Sequence, residues 1–325
     1  MNALRVLVVG CGTMGRLHGR ALRRAGAELV CTDAVPEAAR AFADEVGAIP
    51  VPDAAAALAR GIDGAVVTTP TRSHAAVVSA LVDAGVPSFC EKPLALTLPE
   101  TRQVGELADA RGVPLQIGLH RRSDPGYVRV RDAVRDGEVG RVRIVRAGTH
   151  TAGLPVDPRR DGSILRDLQI HDFDAVRFVC GVDPVAVTTF AVAAAGAPDD
   201  AWNSPAVVSV LELGDGSTAV VTGGRPSPPG YDARIEVYGS AGSVAAGLDE
   251  RTPMNAGDGG TPPYGVFRDR FADAYEQEMR TFAALVAGDA GNPCTWRDSY
   301  AAMQIAVAAE RSAHTGARVE LDGVG

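Results

Sequence analysis

The sequence predicts an α/β protein with an N-terminal doubly wound parallel sheet and a C-terminal α/β domain on a large, mostly antiparallel open sheet. Three observations predict it. Short β-branched runs alternate with helix-length segments over residues 5–118, the pattern of a parallel sheet with helical crossovers. The glycine-rich turn Gly10-Cys11-Gly12-Thr13-Met14-Gly15 falls between the first strand and the first helix. After Arg122 the alternation stops and long strands follow one another. The domains are therefore placed at 1–122 and 123–325.

Composition narrows the class. The chain has 325 residues, 46% hydrophobic and 22% charged, which excludes a disordered or collagen-like chain and leaves ample core. No apolar run reaches the roughly 18 residues of a membrane span. The start, MNALRVLVVG, runs directly into a strand without a basic leader, so neither a membrane segment nor a signal peptide is expected. The net charge of −8 argues against a nucleic-acid surface. Cysteines 11, 31, 90, 180 and 294 show no paired spacing. Free thiols in a reducing cytoplasm are expected, with neither a disulfide framework nor a metal cluster.

Taken in order, RVLVV at 5–9 reads as a buried strand and the residues after Gly15 as a helix. In that context Gly10 permits the tight turn, Gly12 admits a pyrophosphate, and Gly15 lets helix and strand pack. The helix N-terminus around Thr13 and Met14 offers an anion site. The second strand, 28–32, ends at Asp33, 18 residues past Gly15, near the spacing of an acid that bonds the adenosine ribose. Ala34 and Val35 follow it, with no arginine for a 2′-phosphate, so NAD is favoured over NADP.

A helix at 36–46, a short segment near 48–51 and a helix at 53–60 come next. Strand 64–68 ends in Thr69-Pro70-Thr71-Arg72-Ser73-His74, which opens a helix through Ala84. Strand 87–90 ends in Glu91-Lys92-Pro93. A helix at 99–111 and strand 114–118 lead to Leu119-His120-Arg121-Arg122. Ligands of such sheets sit at the carboxyl ends of the strands, and the unusual segments collect there. Lys92 is also the single lysine among 32 basic residues. A lone lysine marks a place where an always-charged guanidinium does not serve.

In the second half, a helix near 125–136 precedes strand 141–149 and a loop at 153–162. The segment Ser163–Cys180 reads as one apolar helix with Ser163 as N-cap. Asp167 and His171, four apart, share a face of it. Strands at 185–193, 206–213, 217–223 and 233–239 suit an open sheet with helices on one face, the bare face being an oligomer contact. Residues 251–265 read as a Gly/Pro-rich loop, and helices at 266–287 and 297–315 finish the chain.

These motifs resemble the Gfo/Idh/MocA oxidoreductases over the whole length: GCGTMG, TPTRSH, CEKPL, GLHRR and LRDLQIHDFD. Within that family the similarity is greatest to inositol 2-dehydrogenases, through Asp167-x-x-x-His171, Gly230-Tyr231-Asp232, Phe271-x-x-Ala274-Tyr275 and Trp296-Arg297-Asp298-x-Tyr300. The resemblance implies a Rossmann domain binding NAD through Gly10, Gly12, Thr13, Met14, Gly15, Asp33, Thr69, Pro70, His74, Glu91, Lys92 and Arg121. It implies Lys92, Asp167 and His171 as catalytic groups and His120, His150 and Tyr231 as further substrate contacts. It also implies a small polyol or sugar substrate and a homotetramer or homodimer. Departures at Ala152, His120 and the loop 153–162 bear on the substrate. An aminocyclitol or keto-sugar intermediate therefore rivals inositol. An NAD-dependent glycosidase and a non-catalytic dinucleotide-binding regulator are the rivals from other classes. In an alcohol oxidation, His171 suits a base because imidazole titrates near neutrality. Lys92 suits stabilisation of alkoxide charge, and the reverse assignment is equally open.

Overall fold

The structure is a computed structural model and describes residues 3–151, 163–192, 204–225, 230–252 and 263–325. The loop 153–162, the departure at Ala152 and most of 251–265 lie outside the described residues. The chain divides into two compact units, 1–120 with 273–300, and 121–272 with 301–325.

The first unit is built on β1 (Arg5–Val9), β2 (Glu28–Thr32), β3 (Ile49–Pro50), β4 (Gly64–Val67), β5 (Ser88–Glu91) and β6 (Leu115–Gly118). They form a sheet in the order β3-β2-β1-β4-β5-β6, parallel throughout. Between them run α1 (Thr13–Arg24), α2 (Pro36–Val46), α3 (Ala54–Leu58), α4 (Thr71–Asp83) and α5 (Leu98–Arg111). Strand side chains alternate between faces, and both faces are apolar. Leu7, Val9, Val30, Val67 and Ile117 pack in one cluster. Val6, Val8, Leu29, Cys31, Val66 and Phe89 pack in the other, completed by Met279 and Phe282 from late in the chain. The caps are those the composition suggests: Asp53 and Thr97 accept from N–H groups of α3 and α5, and glycines close α2 and α5.

The second unit holds α6 (Pro125–Arg135) and a sheet of β7 (Val142–His150), β8 (Pro184–Ala191), β9 (Ala206–Leu213), β10 (Thr218–Gly224), β11 (Asp232–Gly239), β12 (Ser243–Ala246) and β13 (Val319–Glu320). Their order is β12-β11-β7-β10-β9-β8-β13. Only β7 and β10 pair in parallel; the other pairings are antiparallel. One face is buried through Val145, Ala147, Leu211, Val221 and Ile235, while Ile144, Phe190, Val208 and Tyr238 are exposed.

Two helices differ from the sequence expectation, and two strands are additional to it. The helix expected from Ser163 opens with a π-helical turn, Leu165–Gln169, before α7 (Ile170–Cys180). Ser163 does cap it, its hydroxyl accepting from Arg166 N–H at 3.3 Å. The helix expected at 266–287 is broken at Phe271 into α8 (Phe267–Arg270) and α9 (Ala272–Ala287), beside the division between units. The last helix, α10, is Trp296–Thr315, and the edge strands β12 and β13 were not expected.

Candidate active site

The glycine loop is shaped by missing side chains. Gly10 has φ +99°, and a Cβ there would lie 2.8 Å from Thr68 C and Thr69 N. A Cβ at Gly15 would overlap the Gly10 carbonyl oxygen, whereas one at Gly12 would meet nothing within 4 Å. So two glycines are needed for packing, and the third leaves open space. Thr68 Oγ1 braces the turn by donating to Gly10 O at 2.7 Å. α1 starts at Gly12 with no side-chain cap and no acidic residue in its first turn, which leaves the N–H groups near Thr13 and Met14 for an anion.

Asp33 completes the cradle. Its Oδ2 accepts from Cys11 N–H at 2.7 Å and its Oδ1 from Val35 N–H at 2.8 Å. A carboxylate has about four lone-pair sites, so the loop contacts orient it and leave acceptors for ribose hydroxyls. Arg16 and Arg20 are both paired to Glu45. These residues fit a dinucleotide with a bare adenosine ribose.

The next two strand ends are tied together by His74. Its Nδ1 lies 2.8 Å from Pro93 O and its Nε2 2.7 Å from Thr69 O. The ring thus holds the Thr69-Pro70 turn against Glu91-Lys92-Pro93, where the Lys92–Pro93 peptide is cis. Thr69 Oγ1 is buried with no hydrogen-bond partner among the described residues. Glu91 Oε2 accepts from Lys92 N–H at 3.1 Å, and Oε1 is 2.7 Å from Nε2 of the fully buried His18. Behind them lies Glu278 of α9, 2% exposed. Burial, then the Glu91 charge, pushes its carboxyl well above the ordinary range. His120 stacks on Tyr275 of α9 with centroids 4.7 Å apart. The Trp296 motif is used for packing: its indole fills the space a Gly105 side chain would take, and its Nε1 donates to Asp109 at 3.1 Å.

In the second unit, Asp167 stands on the π-turn and His171 on the first turn of α7. Such turns occur often at functional sites. Asp167 Oδ2 is 3.2 Å from Arg225 Nη2; Arg225 was not expected from sequence. The sheet order places the ends of β11, β7 and β10 side by side, bringing Asp232 opposite His150 and His150 opposite Gly224. Tyr231, just before β11, is 5% exposed, and burial pushes its phenol up to about 12. It therefore stays a neutral donor near neutrality.

Arg121 is fully buried in this unit. It bonds Asp172, and Thr149 Oγ1 at 2.5 Å, while Thr149 Oγ1 donates to Asp172 Oδ2 at 2.8 Å. Its guanidinium lies 5.6 Å from the Tyr127 ring centroid and 5.8 Å from that of Phe271. Burial pushes the Asp172 carboxyl upward while Arg121 pulls against it. Arg122 grips Asp174 through two bonds of 2.7 and 2.9 Å. The Arg-Arg pair thus fixes α7 around His171. Among the described residues no group of His, Cys, Asp and Glu is arranged to hold a metal, and no helix is long and apolar enough to cross a membrane.

The chain matches two family models, the GFO/IDH/MocA oxidoreductase family with an NAD-binding Rossmann fold over residues 4–119 and the GFO/IDH/MocA C-terminal domain over 127–245. It is 40% identical to myo-inositol dehydrogenase Hyg17 of Streptomyces leeuwenhoekii over 96% of this chain and 98% of that protein. It is 37% identical to inositol 2-dehydrogenase of Rhizobium meliloti, over 95% and 96% of the two chains. The crystal structure of a myo-inositol dehydrogenase from Corynebacterium glutamicum superimposes with a TM-score of 0.88 at 30% identity, covering 98% of this chain and 99% of that one. With the glycine cradle, Asp33 and the mixed second sheet in place, these matches make the chain a member of the GFO/IDH/MocA family of NAD-binding oxidoreductases.

Proposed function

We propose that this chain oxidises one secondary CH–OH of a cyclitol, myo-inositol or a close relative, to the ketone, with Lys92, Asp167 and His171 as its reacting groups. The observation that carries the reading is the 40% and 37% identity, over nearly the whole chain, to proteins named for inositol oxidation. NAD, when held in the glycine cradle by Asp33 and the α1 N-terminus, would supply a hydride acceptor. The chain's own residues handle the proton and the charge. His171 takes the hydroxyl proton as the C–H hydride leaves, Asp167 orients the hydroxyl or the imidazole, and Lys92 donates to the oxygen as charge builds on it. Thr69, Pro70, His74 and Glu91 shape the cofactor side, and His120, His150 and Tyr231 serve the remaining hydroxyls. Arg121 acts at one remove, through Asp172. Residues 1–122 serve cofactor binding and 123–325 substrate binding and assembly. The exposed apolar residues Ile144, Phe190, Val208 and Tyr238 suit a homotetramer built on the open sheet face, and five free thiols suit the cytoplasm.

The test is a panel of myo- and scyllo-inositol, aminocyclitols, aldoses and glycosides with NAD and with NADP, followed by NADH absorbance. Turnover of a cyclitol with NAD is expected. Turnover confined to an aminocyclitol would move the substrate class. Aglycone release without net NADH would identify a glycosidase, and NAD binding with no turnover would identify a regulator. Sedimentation tests the assembly, with a tetramer expected.

A further inference from the structure

β10 ends in Gly223-Gly224-Arg225, and the two glycines are there for close approach. A Cβ at Gly223 would lie 3.0 Å from Gln169 Cγ on the π-turn, and one at Gly224 would lie 2.7 Å from His150 Cδ2. A side chain at either would have to displace the Gln169 or the His150 side chain. The strand end is fixed beyond them: Thr151 N–H donates to Gly224 O at 3.0 Å, and Arg225 N–H donates to Pro205 O at 2.7 Å. From that anchored position the Arg225 side chain, 13% exposed, reaches Asp167, 30% exposed, at 3.2 Å. An ion pair in open solvent would contribute little. Here the guanidinium is mostly withdrawn from water, so the pair is less screened.

Several neighbouring charges have partners of their own. Arg166, on the same turn, pairs with Glu310 at 2.6 Å. Asp172 pairs with Arg121, and Asp232 with Arg234 at 2.9 Å. His171 on α7 and His150 on β7 are the titratable groups on the adjoining elements. The Arg225 Nη2 atom is buried and makes no hydrogen bond among the described residues, so the contact is electrostatic. We infer that Arg225 is a positioning residue: the charge of its guanidinium, 3.2 Å away, holds the Asp167 carboxylate in its ionised form. An arginine keeps its charge at any working pH, so its nearness favours the ionised, acceptor-only form of Asp167. The catalytic consequence rests on the proposed reaction; the pairing itself does not.

Carboxyl carbon NMR of Asp-labelled full-length protein tests the pairing, with the Asp167 signal assigned by its loss in Asp167→Asn. Arg225→Gln should raise the Asp167 titration midpoint by about one unit or more. Arg225→Lys should give a smaller rise in the same direction. It carries the test if the glutamine variant fails to fold. An unmoved midpoint in a folded variant overturns the inference. On the cyclitol substrate, Arg225→Gln should lower kcat by about tenfold to a hundredfold, with the KM for NAD unchanged and partial rescue by lysine. A shifted midpoint with wild-type kcat overturns the positioning role. If the wild-type chain oxidises no polyol while the midpoint moves, the proposed function fails and the Arg225–Asp167 pairing stands.

Discussion

Each unit buries a carboxyl, and they do so in opposite ways. Asp172 in the second unit is 0% exposed and bonded to Arg121 and Thr149. Glu278 in the first unit is 2% exposed, its Oε2 has no hydrogen-bond partner among the described residues, and its charged neighbour is another acid, Glu91. A buried charge needs a partner or must be neutralised. Asp172 takes the first course and Glu278 the second, holding its proton. The first acid is part of a scaffold for α7 and His171. The second is an acid near Glu91 whose charged form burial disfavours, while Glu91 itself serves the Lys92 N–H and His18.

The largest expected effect is at Lys92, the cation next to Glu91. Lys92→Arg keeps a positive charge but loses the ammonium's geometry and its capacity to move a proton. We expect kcat on the cyclitol to drop by about 10²–10⁴-fold, with NAD affinity retained. Steady-state rates near wild type would remove Lys92 from the chemistry. Asp172→Asn comes next. It leaves Arg121 as a buried charge without its counter-ion, a loss of about 3–5 kcal/mol of stability. Urea unfolding would show it, and a loss below 1 kcal/mol would mean water reaches Arg121.

Glu278→Gln should act in the opposite sense. The folded state holds the Glu278 proton more tightly than the unfolded chain does, so this group favours folding fully only at acid pH. As pH rises above the ordinary glutamate range, the unfolded chain releases the proton first and wild type loses stability by up to about 1.4 kcal/mol per pH unit. The glutamine variant escapes that loss. It should melt above wild type at pH 8, with the gap closing toward pH 4. Equal melting curves at pH 8 would show that Glu278 is ionised and compensated in the fold.

This contrast also explains what was legible in the sequence. The cradle is local: Gly10, Gly12 and Gly15 lie within one turn, and Asp33 is one strand away, so strand, turn and helix signals sufficed. Lys92 stood out because it is the chain's one lysine at a strand end. The Arg121–Asp172 pair joins residues 51 apart, and the Arg225–Asp167 pair is equally non-local. Gly223-Gly224-Arg225 reads as ordinary turn punctuation until β10 is placed beside β7. The π-turn at Leu165–Gln169 is a shift in hydrogen bonding that hydrophobic spacing does not encode, and Phe271 interrupts a helix whose apolar period runs on. Glu278 could have been found. It shares the helical face of Tyr275, Met279 and Phe282, all buried, and an acid on such a stripe is either paired or neutral.

The smallest effect tests the local half of the comparison. Asp33 orients the loop through Cys11 N–H and Val35 N–H, and its proposed second task is to accept from the ribose. Asp33→Ser with Ala34→Arg separates them. The serine hydroxyl can still accept from a backbone N–H, so the loop should hold its shape. The carboxylate that would repel a 2′-phosphate is gone, and a guanidinium stands in its place. Losing hydrogen bonds to a charged group should weaken NAD by about tenfold, while NADP binding improves. Fluorescence titration with both cofactors reads the ratio. If NAD and NADP weaken together, the loop itself has been lost and the orienting bonds outweigh the ribose contact. If neither changes, Asp33 is a turn residue alone and the ribose is held elsewhere.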